Sequence, residues 1–99
     1  MKYKISKQAE VDLENIWLYT FEEWSQEQAD YYYDLIMDEI EYISENPKSG
    51  KDYNEVRKGY FRSRVKSHFI FYRIKLKEEK IEIIRILHQQ MDVDSHINE

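Results

Sequence analysis

The sequence predicts an α+β domain in which a helical hairpin packs on an antiparallel sheet, in the order β-α-α-β-β-β. Three observations support this fold class. Apolar residues recur at helical spacing in the first half of the chain, and aromatic and β-branched residues concentrate in three stretches after residue 59. A turn-forming segment at 46–52 separates the two halves. The 99 residues are expected to form a single domain, 1–99.

A short strand is predicted first. Residues 2–5 alternate polar and apolar, which is typical of a half-buried strand. Ser6 is a suitable N-cap because its hydroxyl can accept a hydrogen bond from a free backbone N–H. A helix therefore begins near residue 7, with an apolar stripe formed by Ala9, Leu13, Ile16, Trp17 and Trp24.

A second helix follows directly, so that the hairpin covers about 7–46. Ser25 and Gln28 form a capping box at its start, and it ends before Pro47 because the residue preceding a proline disfavours the α region. Its predicted stripe comprises Ala29, Tyr32, Tyr33, Ile36, Ile40 and Ile43. Four further large residues lie off the stripe, where they either cover a second contact or are exposed: Tyr31, Leu35, Met37 and Tyr42.

Three strands complete the predicted sheet, which spans about 2–5 and 60–88. The β-rich stretches are 60–65, 68–76 and 80–87, and the polar residues 77–79 are suited to a hairpin connection between the last two. The last two stretches are so rich in apolar residues, the final one above all in isoleucine, that both are expected to be central, largely covered strands. Residues 89–99 follow as a tail.

Composition excludes several kinds of function. With no Cys, the chain has no disulfide, no thiolate nucleophile and no cysteine-based zinc site. No stretch approaches the roughly 20 apolar residues of a membrane span, and the N-terminus lacks the apolar run of a signal peptide. We therefore expect a cytoplasmic protein without a membrane partner. His68, His88 and His96 match no metal-ligand spacing, so neither a metal nor another cofactor is expected.

The net charge of −5 is divided unevenly along the chain. Residues 1–47 carry three lysines against twelve carboxylates, a net −9, whereas residues 48–88 carry twelve cations against five carboxylates, a net +7. Residues 89–99 add −3. The basic part can attract an acidic partner, although the total charge argues against nucleic acid as an obligatory direct partner. Alternatively, the acidic and basic halves complement each other within the fold.

The cations of the basic part follow the alternation of the predicted strands. Residues of one parity project from one sheet face, and a face rich in arginine can bind phosphates or an acidic peptide. The alternative is a solvated face whose cations blunt strand pairing. The residues of one parity are Arg62, Arg64 and Lys66 on the first of these stretches and Arg73, Lys75 and Lys77 on the next. Arg85 with His88 lies toward the end of the last stretch.

Several segments, in order along nearly the whole chain, resemble ParE toxins of the RelE/ParE superfamily. The most specific are His-Phe-Ile-Phe-Tyr-Arg at 68–73 and Arg-Ile-Leu-His-Gln-Gln-Met-Asp at 85–92. Asn46-Pro47 and Gly50 add to the resemblance. The weaker N-terminal part of the match consists of Tyr3, Ser6, Ala9, Asp12, Leu13, Ile16 and Tyr19.

The resemblance implies a toxin of a type II toxin–antitoxin system, of a kind associated with plasmid stabilisation. Such a toxin inhibits DNA gyrase by binding and is neutralised by a ParD-like antitoxin, with which it can form a hetero-oligomer. RelE-like relatives are instead ribosome-dependent mRNA endoribonucleases. That activity would draw on Arg73 and Arg85 as cations and on His88 as acid or base. A third reading is a decayed module that retains only antitoxin binding.

Two contact surfaces are predicted. The basic sheet face and segment 85–97 would contact the target, and the Met91-Asp92 pair favours the ParE branch over RelE. An acidic amphipathic segment of the antitoxin is expected over Tyr31, Leu35 and Tyr42 or on the adjoining sheet. The predicted target-binding residues are Arg62, Arg64, Arg73, Arg85, His88, Met91 and Asp92.

Overall fold

The computed structural model of the chain describes residues 1–91. It contains two helices and five strands, which confirms the predicted α+β class. Neither helix is long and apolar enough to cross a membrane, as far as residues 1–91 are concerned. In chain order the elements are β1 (Lys2–Ile5), α1 (Lys7–Glu23), α2 (Gln26–Glu45), β2 (Lys51–Asp52), β3 (Tyr60–Val65), β4 (His68–Lys75) and β5 (Lys80–His88).

The strands form one mixed sheet in the order β1-β5-β4-β3-β2. β1 pairs parallel to β5, whereas the other neighbouring strands pair antiparallel. The expectation of a purely antiparallel sheet is corrected in this respect. Alternation of polar and apolar residues shows which side chains share a face, but it carries no information on strand direction. The short β2 lies within the segment expected to be a turn.

The main core lies between the helical hairpin and one face of the sheet. Its side chains come from the predicted stripes of both helices and from alternate residues of the strands. Burial of this apolar surface is the principal force that holds the two layers together. Among the fully buried side chains are Ile36, Ile40 and Ile43 of α2 and Ile70, Ile81 and Ile83 of the sheet.

Both predicted N-caps are confirmed. The Ser25 hydroxyl accepts a hydrogen bond from the Gln28 N–H at 3.1 Å. The Ser6 hydroxyl accepts from the Ala9 N–H at 3.1 Å and also donates to the Ile84 carbonyl of β5 at 2.8 Å. Ser6 therefore starts α1 and also ties that start to the sheet.

Two residues depart from the predicted helix stripes. The prediction that Trp24 lies on the buried stripe is wrong, because its side chain is 77% exposed. α1 ends at Glu23, and Trp24 has φ −128° and ψ −86°, so helical spacing no longer applies there. Tyr33 is also exposed, at the border between α2 and α1.

Replacing Ser6 should cost more stability than replacing Ser25. Ser6→Ala removes a cap and a bond to β5, so the free energy of unfolding should fall by about 2 kcal/mol. Ser25→Ala removes only an exposed cap and should cost about 1 kcal/mol or less. Urea unfolding followed by circular dichroism measures both values. Equal losses would contradict the second role of Ser6.

Candidate functional site

The sheet face opposite the helices carries its own aromatic cluster, in which Phe71 is fully buried and Leu87 nearly so. Tyr53 packs edge-on against Phe71, with ring centroids 5.4 Å apart. Neither α1 nor α2 contributes to this cluster. We call this surface the helix-free face and define it by Tyr53, Tyr60, Arg62, Arg64, Phe69, Phe71, Arg73 and Leu87.

Two of the predicted target-binding arginines pack against the aromatic rings of the helix-free face. The Cζ atom of Arg62 lies 4.3 Å from the ring centroid of Phe69 and 5.5 Å from that of Tyr53. Arg64 is more exposed, with its Cζ atom 5.8 Å from the Phe69 centroid. A guanidinium is planar and weakly hydrated, so it stacks on aromatic faces and keeps its N–H groups available at the ring edge.

Hydrogen bonds hold the side chain of Arg64 in place. Its Nε donates to the Lys66 carbonyl at 2.7 Å, and its Nη2 donates to Oε1 of Gln89 at 2.8 Å.

Lys66 itself has φ 51° in the turn between β3 and β4. Lys77 lies in the 3-10 turn Leu76–Glu78. Both lysines are therefore outside the strands, and the prediction that they extend the parity of the strand cations is wrong.

Arg73 lies on the helix-free face but is partly neutralised. In the strand register it lies opposite Tyr60 of β3 and Glu82 of β5. Its Nε and Nη2 atoms are each 2.8 Å from Oε1 of Glu82, and its side chain is 43% exposed. Lys75 approaches the same carboxylate at 3.5 Å. Arg73 is thus accessible to a partner, but its positive electrostatic potential is weaker than that of Arg64 because Glu82 partly neutralises it.

Arg85 lies opposite Phe71 in the strand register, but its guanidinium is engaged by a carboxylate of α1. Its Nε donates to Oδ2 of Asp12 at 2.8 Å, and its Nη2 donates to Oδ1 at 2.9 Å. The two side chains are only 17% and 11% exposed. Oδ2 of Asp12 also accepts the backbone N–H of Ile86 at 2.9 Å. Because β1 ends at Ile5, the edge of β5 is open at Ile86, and Asp12 of α1 covers it.

His88 forms part of a histidine pair at the end of the sheet. Its ring lies edge-on to that of His68, with centroids 5.2 Å apart. Nδ1 of His88 accepts the Gln90 N–H at 3.1 Å, while Nδ1 of His68 lies 2.7 Å from the Tyr32 hydroxyl. Burial, with a smaller effect of His88, lowers the pKa of His68 from 6.5 to about 4. His68 is therefore neutral at physiological pH.

The residues that a nuclease would use are not brought together. Arg73 is level with Glu82 in the register, and His88 lies six residues further along β5. Because β5 has a bulge in this stretch, the separation is counted on β4, where His68, opposite His88, is five residues from Arg73; this is roughly 17 Å along the sheet. Arg85 is meanwhile engaged by Asp12. Residues 1–91 also contain no group of three side chains placed to hold a metal ion.

The residues predicted to bind the antitoxin share one side of α2, at spacings of four and seven. Tyr31 and Tyr42 are 55% and 53% exposed. Leu35 is half-buried and packs against the main core. The side chain of Met91 is exposed. Asp92 and the remainder of segment 85–97 lie outside the described residues.

Two important residues, Asp12 and Tyr32, had no functional assignment from the residue pattern. The sequence indicated Asp12 only as one of the residues that carry the family resemblance. It indicated Tyr32 only as a member of the apolar stripe of α2. A carboxylate next to Leu13, on the side of the helix that faces the core, is the signal that could have identified Asp12. The contact between Tyr32 and His68 joins positions 36 residues apart, and no local pattern contains it.

Comparison with known proteins agrees with this architecture. A family model described as ParE toxin of type II toxin-antitoxin system, parDE, matches residues 3–93. Toxin ParE1 of Caulobacter vibrioides is 39% identical over 95 residues, which cover 96% of both chains. Toxin ParE1 of Mycobacterium tuberculosis is 36% identical over 96 residues, which cover 97% of both chains.

A solved structure described as the chromosomal ParDE TA system from P. aeruginosa has the same fold. It matches with a TM-score of 0.77 at 19% identity, covering 89% of this chain and 95% of the other. The fold and the sequence relatives together define a toxin of a type II toxin–antitoxin system. The chain belongs to the ParE toxin family.

The neutral state of His68 predicts a pH-dependent stability. Between pH 6.5 and about 4, the unfolded chain binds a proton on this histidine while the folded chain does not. The free energy of unfolding should therefore fall as the pH is lowered through this range. Because the ring is partly exposed, we expect this histidine to contribute on the order of 1 kcal/mol.

Urea unfolding at pH 7 and pH 5 measures this effect when the wild type is compared with His68→Gln. The glutamine amide can still bond to Tyr32 but does not titrate. The wild type should lose more stability than the variant on acidification. Parallel losses in the two proteins would show that His68 is not the titrating group.

Proposed function

We propose that this ParE-family toxin binds DNA gyrase and stops its supercoiling activity, and that a ParD-like antitoxin neutralises it. The toxin acts in the cytoplasm as a single domain, residues 1–99, and is held in a hetero-oligomer with the antitoxin. The observation that carries this proposal is the helix-free face, where Arg62 and Arg64 stand on aromatic rings. Family membership supports it independently.

The helix-free face has the chemistry of a protein-binding surface. Arginine and aromatic residues supply much of the binding energy in protein interfaces, and charge complementarity accelerates association. Arg64, Phe69 and Leu87 are aligned across three neighbouring strands, and His88 follows Leu87 directly. We place the contact with gyrase on Arg62, Arg64 and Arg73, continuing over His88 and Met91 toward Asp92. Arg85 supports this end of the sheet through its ion pair with Asp12.

Inhibition by binding fits the geometry better than RNA cleavage. Metal-free cleavage of RNA needs an acid, a base and cations around one phosphate. Arg73 and His88 are too far apart along the sheet to surround one phosphate, and Arg85 is held by Asp12. A surface that binds a large protein partner needs no such convergence.

The antitoxin segment is proposed to use two kinds of contact. α2 contains seven carboxylates and no Lys or Arg, so an acidic segment would be repelled along this helix. We therefore place an apolar stretch of the antitoxin over Tyr31, Leu35 and Tyr42. The acidic stretch would continue onto the arginines of the helix-free face, where its charge is complementary.

Removing two positive charges from the helix-free face should weaken gyrase inhibition. Arg62→Gln with Arg64→Gln retains much of the side-chain length but removes the charges, and we expect at least a tenfold higher concentration for half-inhibition of supercoiling. This corresponds to about 1.4 kcal/mol. Lys7→Gln with Lys48→Gln, at exposed positions outside the helix-free face, is the matched control and should change little.

Two outcomes would distinguish a wrongly proposed target protein from a wrongly proposed contact surface. If the wild type arrests growth but leaves purified gyrase fully active in excess, gyrase is not the target. If the arginine variant inhibits as well as the wild type, gyrase is contacted elsewhere. Circular dichroism of both variants verifies that they are folded.

Loss of the exposed tyrosines of α2 should weaken antitoxin binding. For Tyr31→Ala with Tyr42→Ala we expect at least a tenfold increase in Kd, because two large apolar contacts are removed. Tyr19→Ala on α1 is the control, since Tyr19 is similarly exposed but lies on the other helix. Calorimetry with the antitoxin encoded beside the toxin measures the affinities. An unchanged Kd in the double variant would refute this placement.

A further inference from the structure

The turn between β3 and β4 is fixed to α2 by the hydroxyl of Tyr32. This hydroxyl donates a hydrogen bond to the Val65 carbonyl at 3.1 Å and lies 2.7 Å from Nδ1 of His68. The ring of Tyr32 packs against the main core, so the hydroxyl has little freedom to move. Residues 65–68 are therefore held in a defined position beside the helix layer.

The same turn also holds the first residue of the tail. The Gln89 N–H donates to the Ser67 carbonyl at 2.8 Å. Because His68 lies opposite His88 in the strand register, this bond continues the pairing of β4 with β5 by one residue. The backbone of Gln89 is thus fixed next to the turn, while its side chain is exposed and reaches Arg64.

Arg64 uses one edge of its guanidinium within the protein and leaves the other end available. A guanidinium carries five N–H groups in a planar fork. The Nε and Nη2 atoms of Arg64 donate to the Lys66 carbonyl and to Oε1 of Gln89. Nη1 has no hydrogen-bond partner within residues 1–91. The end of the fork, formed by Nη1 together with the second N–H of Nη2, can therefore bind a ligand.

These contacts restrict Arg64 before any partner binds. A free arginine side chain on a surface samples many rotamers, and ordering it on binding costs free energy. Arg64 is exposed, yet two hydrogen bonds and the ring of Phe69, 5.8 Å from Cζ, limit its rotamers. One of the two acceptors is backbone, whereas the other is the side chain of Gln89. Gln89 is therefore the residue whose substitution can release the guanidinium.

The available end of the fork matches a carboxylate. Two parallel N–H groups bind the two oxygens of a carboxylate or of a phosphate. The neighbours of Arg64 across the sheet are Phe69 and then Leu87, apolar side chains that a protein partner covers better than a phosphate backbone does. The net charge of −5 also disfavours nucleic acid. An Asp or Glu side chain of a protein is thus the favoured ligand.

We propose that Gln89 is a positioning residue for the contact with the target. It holds Arg64 so that the end of the guanidinium fork, already ordered, receives a carboxylate of the protein that the toxin inhibits. Gln89 itself need not touch that protein. This role of Gln89 rests on the proposed binding of gyrase by the helix-free face.

The mobility of the Arg64 Nε–H group, measured by heteronuclear NMR relaxation on the full chain, tests the positioning without any partner. Gln89→Met keeps the side-chain length but removes the amide acceptor. The order parameter should fall from above about 0.7 in the wild type to below about 0.6 in this variant. Gln89→Glu keeps an oxygen at the same reach and should keep Arg64 ordered. A mobile Arg64 in the wild type, or an unchanged order parameter in Gln89→Met, would overturn the proposal.

Inhibition of supercoiling by purified gyrase measures the consequence of this positioning. Gln89→Met should raise the concentration for half-inhibition about fivefold, because one long side chain must then be ordered on binding. In the Arg64→Gln background the same substitution should have no further effect, as expected of a residue that acts through Arg64. Gln8→Met, at an exposed position on α1, is the control and should change neither measurement. An equal effect of Gln89→Met with and without Arg64 would refute the positioning role.

Arg64→Lys tests the class of ligand. Lysine keeps the charge but cannot form two parallel N–H bonds to one carboxylate. We therefore expect Arg64→Lys to weaken inhibition nearly as much as Arg64→Gln. Full inhibition by Arg64→Lys would show that only the charge matters. Binding of the wild type, but not of Arg64→Gln, to duplex DNA without gyrase would assign the fork to a phosphate. Either result would overturn the carboxylate contact.

An error in the proposed target would give a different result. If the wild type arrests growth but leaves gyrase active, gyrase is not the target, while the NMR comparison still decides whether Gln89 positions Arg64. The amount of toxin needed for growth arrest then replaces supercoiling as the measure for Gln89→Met and its control.

Discussion

The carboxylate of Asp12 joins the helical layer to the edge of the sheet. β5 continues beyond the point where β1 ends, so its backbone at Ile86 would otherwise be open at the sheet edge. Asp12 accepts that N–H and forms a two-pronged ion pair with Arg85. Both side chains are largely removed from solvent, and such a pair is stable only when the hydrogen-bonding groups are satisfied. The position of α1 therefore depends on Asp12 as well as on apolar packing.

This interaction also decides which cations remain accessible. Arg85 is engaged at the edge, whereas Arg62 and Arg64 are supported by aromatic rings on the helix-free face. The ion pairs of Arg73, Lys75 and Lys80 use Glu82 and Glu78 of the basic half itself, whereas that of Arg85 uses Asp12 of the hairpin. Most carboxylates of the hairpin are exposed, so α1 and α2 present an acidic surface apart from the arginines of the helix-free face. Each surface can then recognise a partner of different chemistry.

Local sequence signals were sufficient for most of the fold. Ser6 and Ser25 cap the helices where predicted, and isoleucines at helical spacing form the buried stripe of α2. The candidate site was predictable only in part. Parity placed Arg62 and Arg64 correctly on one face, but it failed for Lys66, which lies in a turn with positive φ. The direction of β1 and the existence of β2 depend on long-range strand pairing. The periodicity of apolar residues does not reveal such pairing.

The sequence by itself determined the two layers, their order and the sign of charge on each, because periodicity, capping and composition are local properties. Only the tertiary structure decided that Arg85 is bound by Asp12, that His68 is held neutral beside Tyr32 and His88, and that β1 has no second neighbouring strand within residues 1–91. Each of these outcomes joins residues far apart in the chain or depends on which strand has no neighbour. Strand register and helix docking, set by burial of the shared core, bring these groups together.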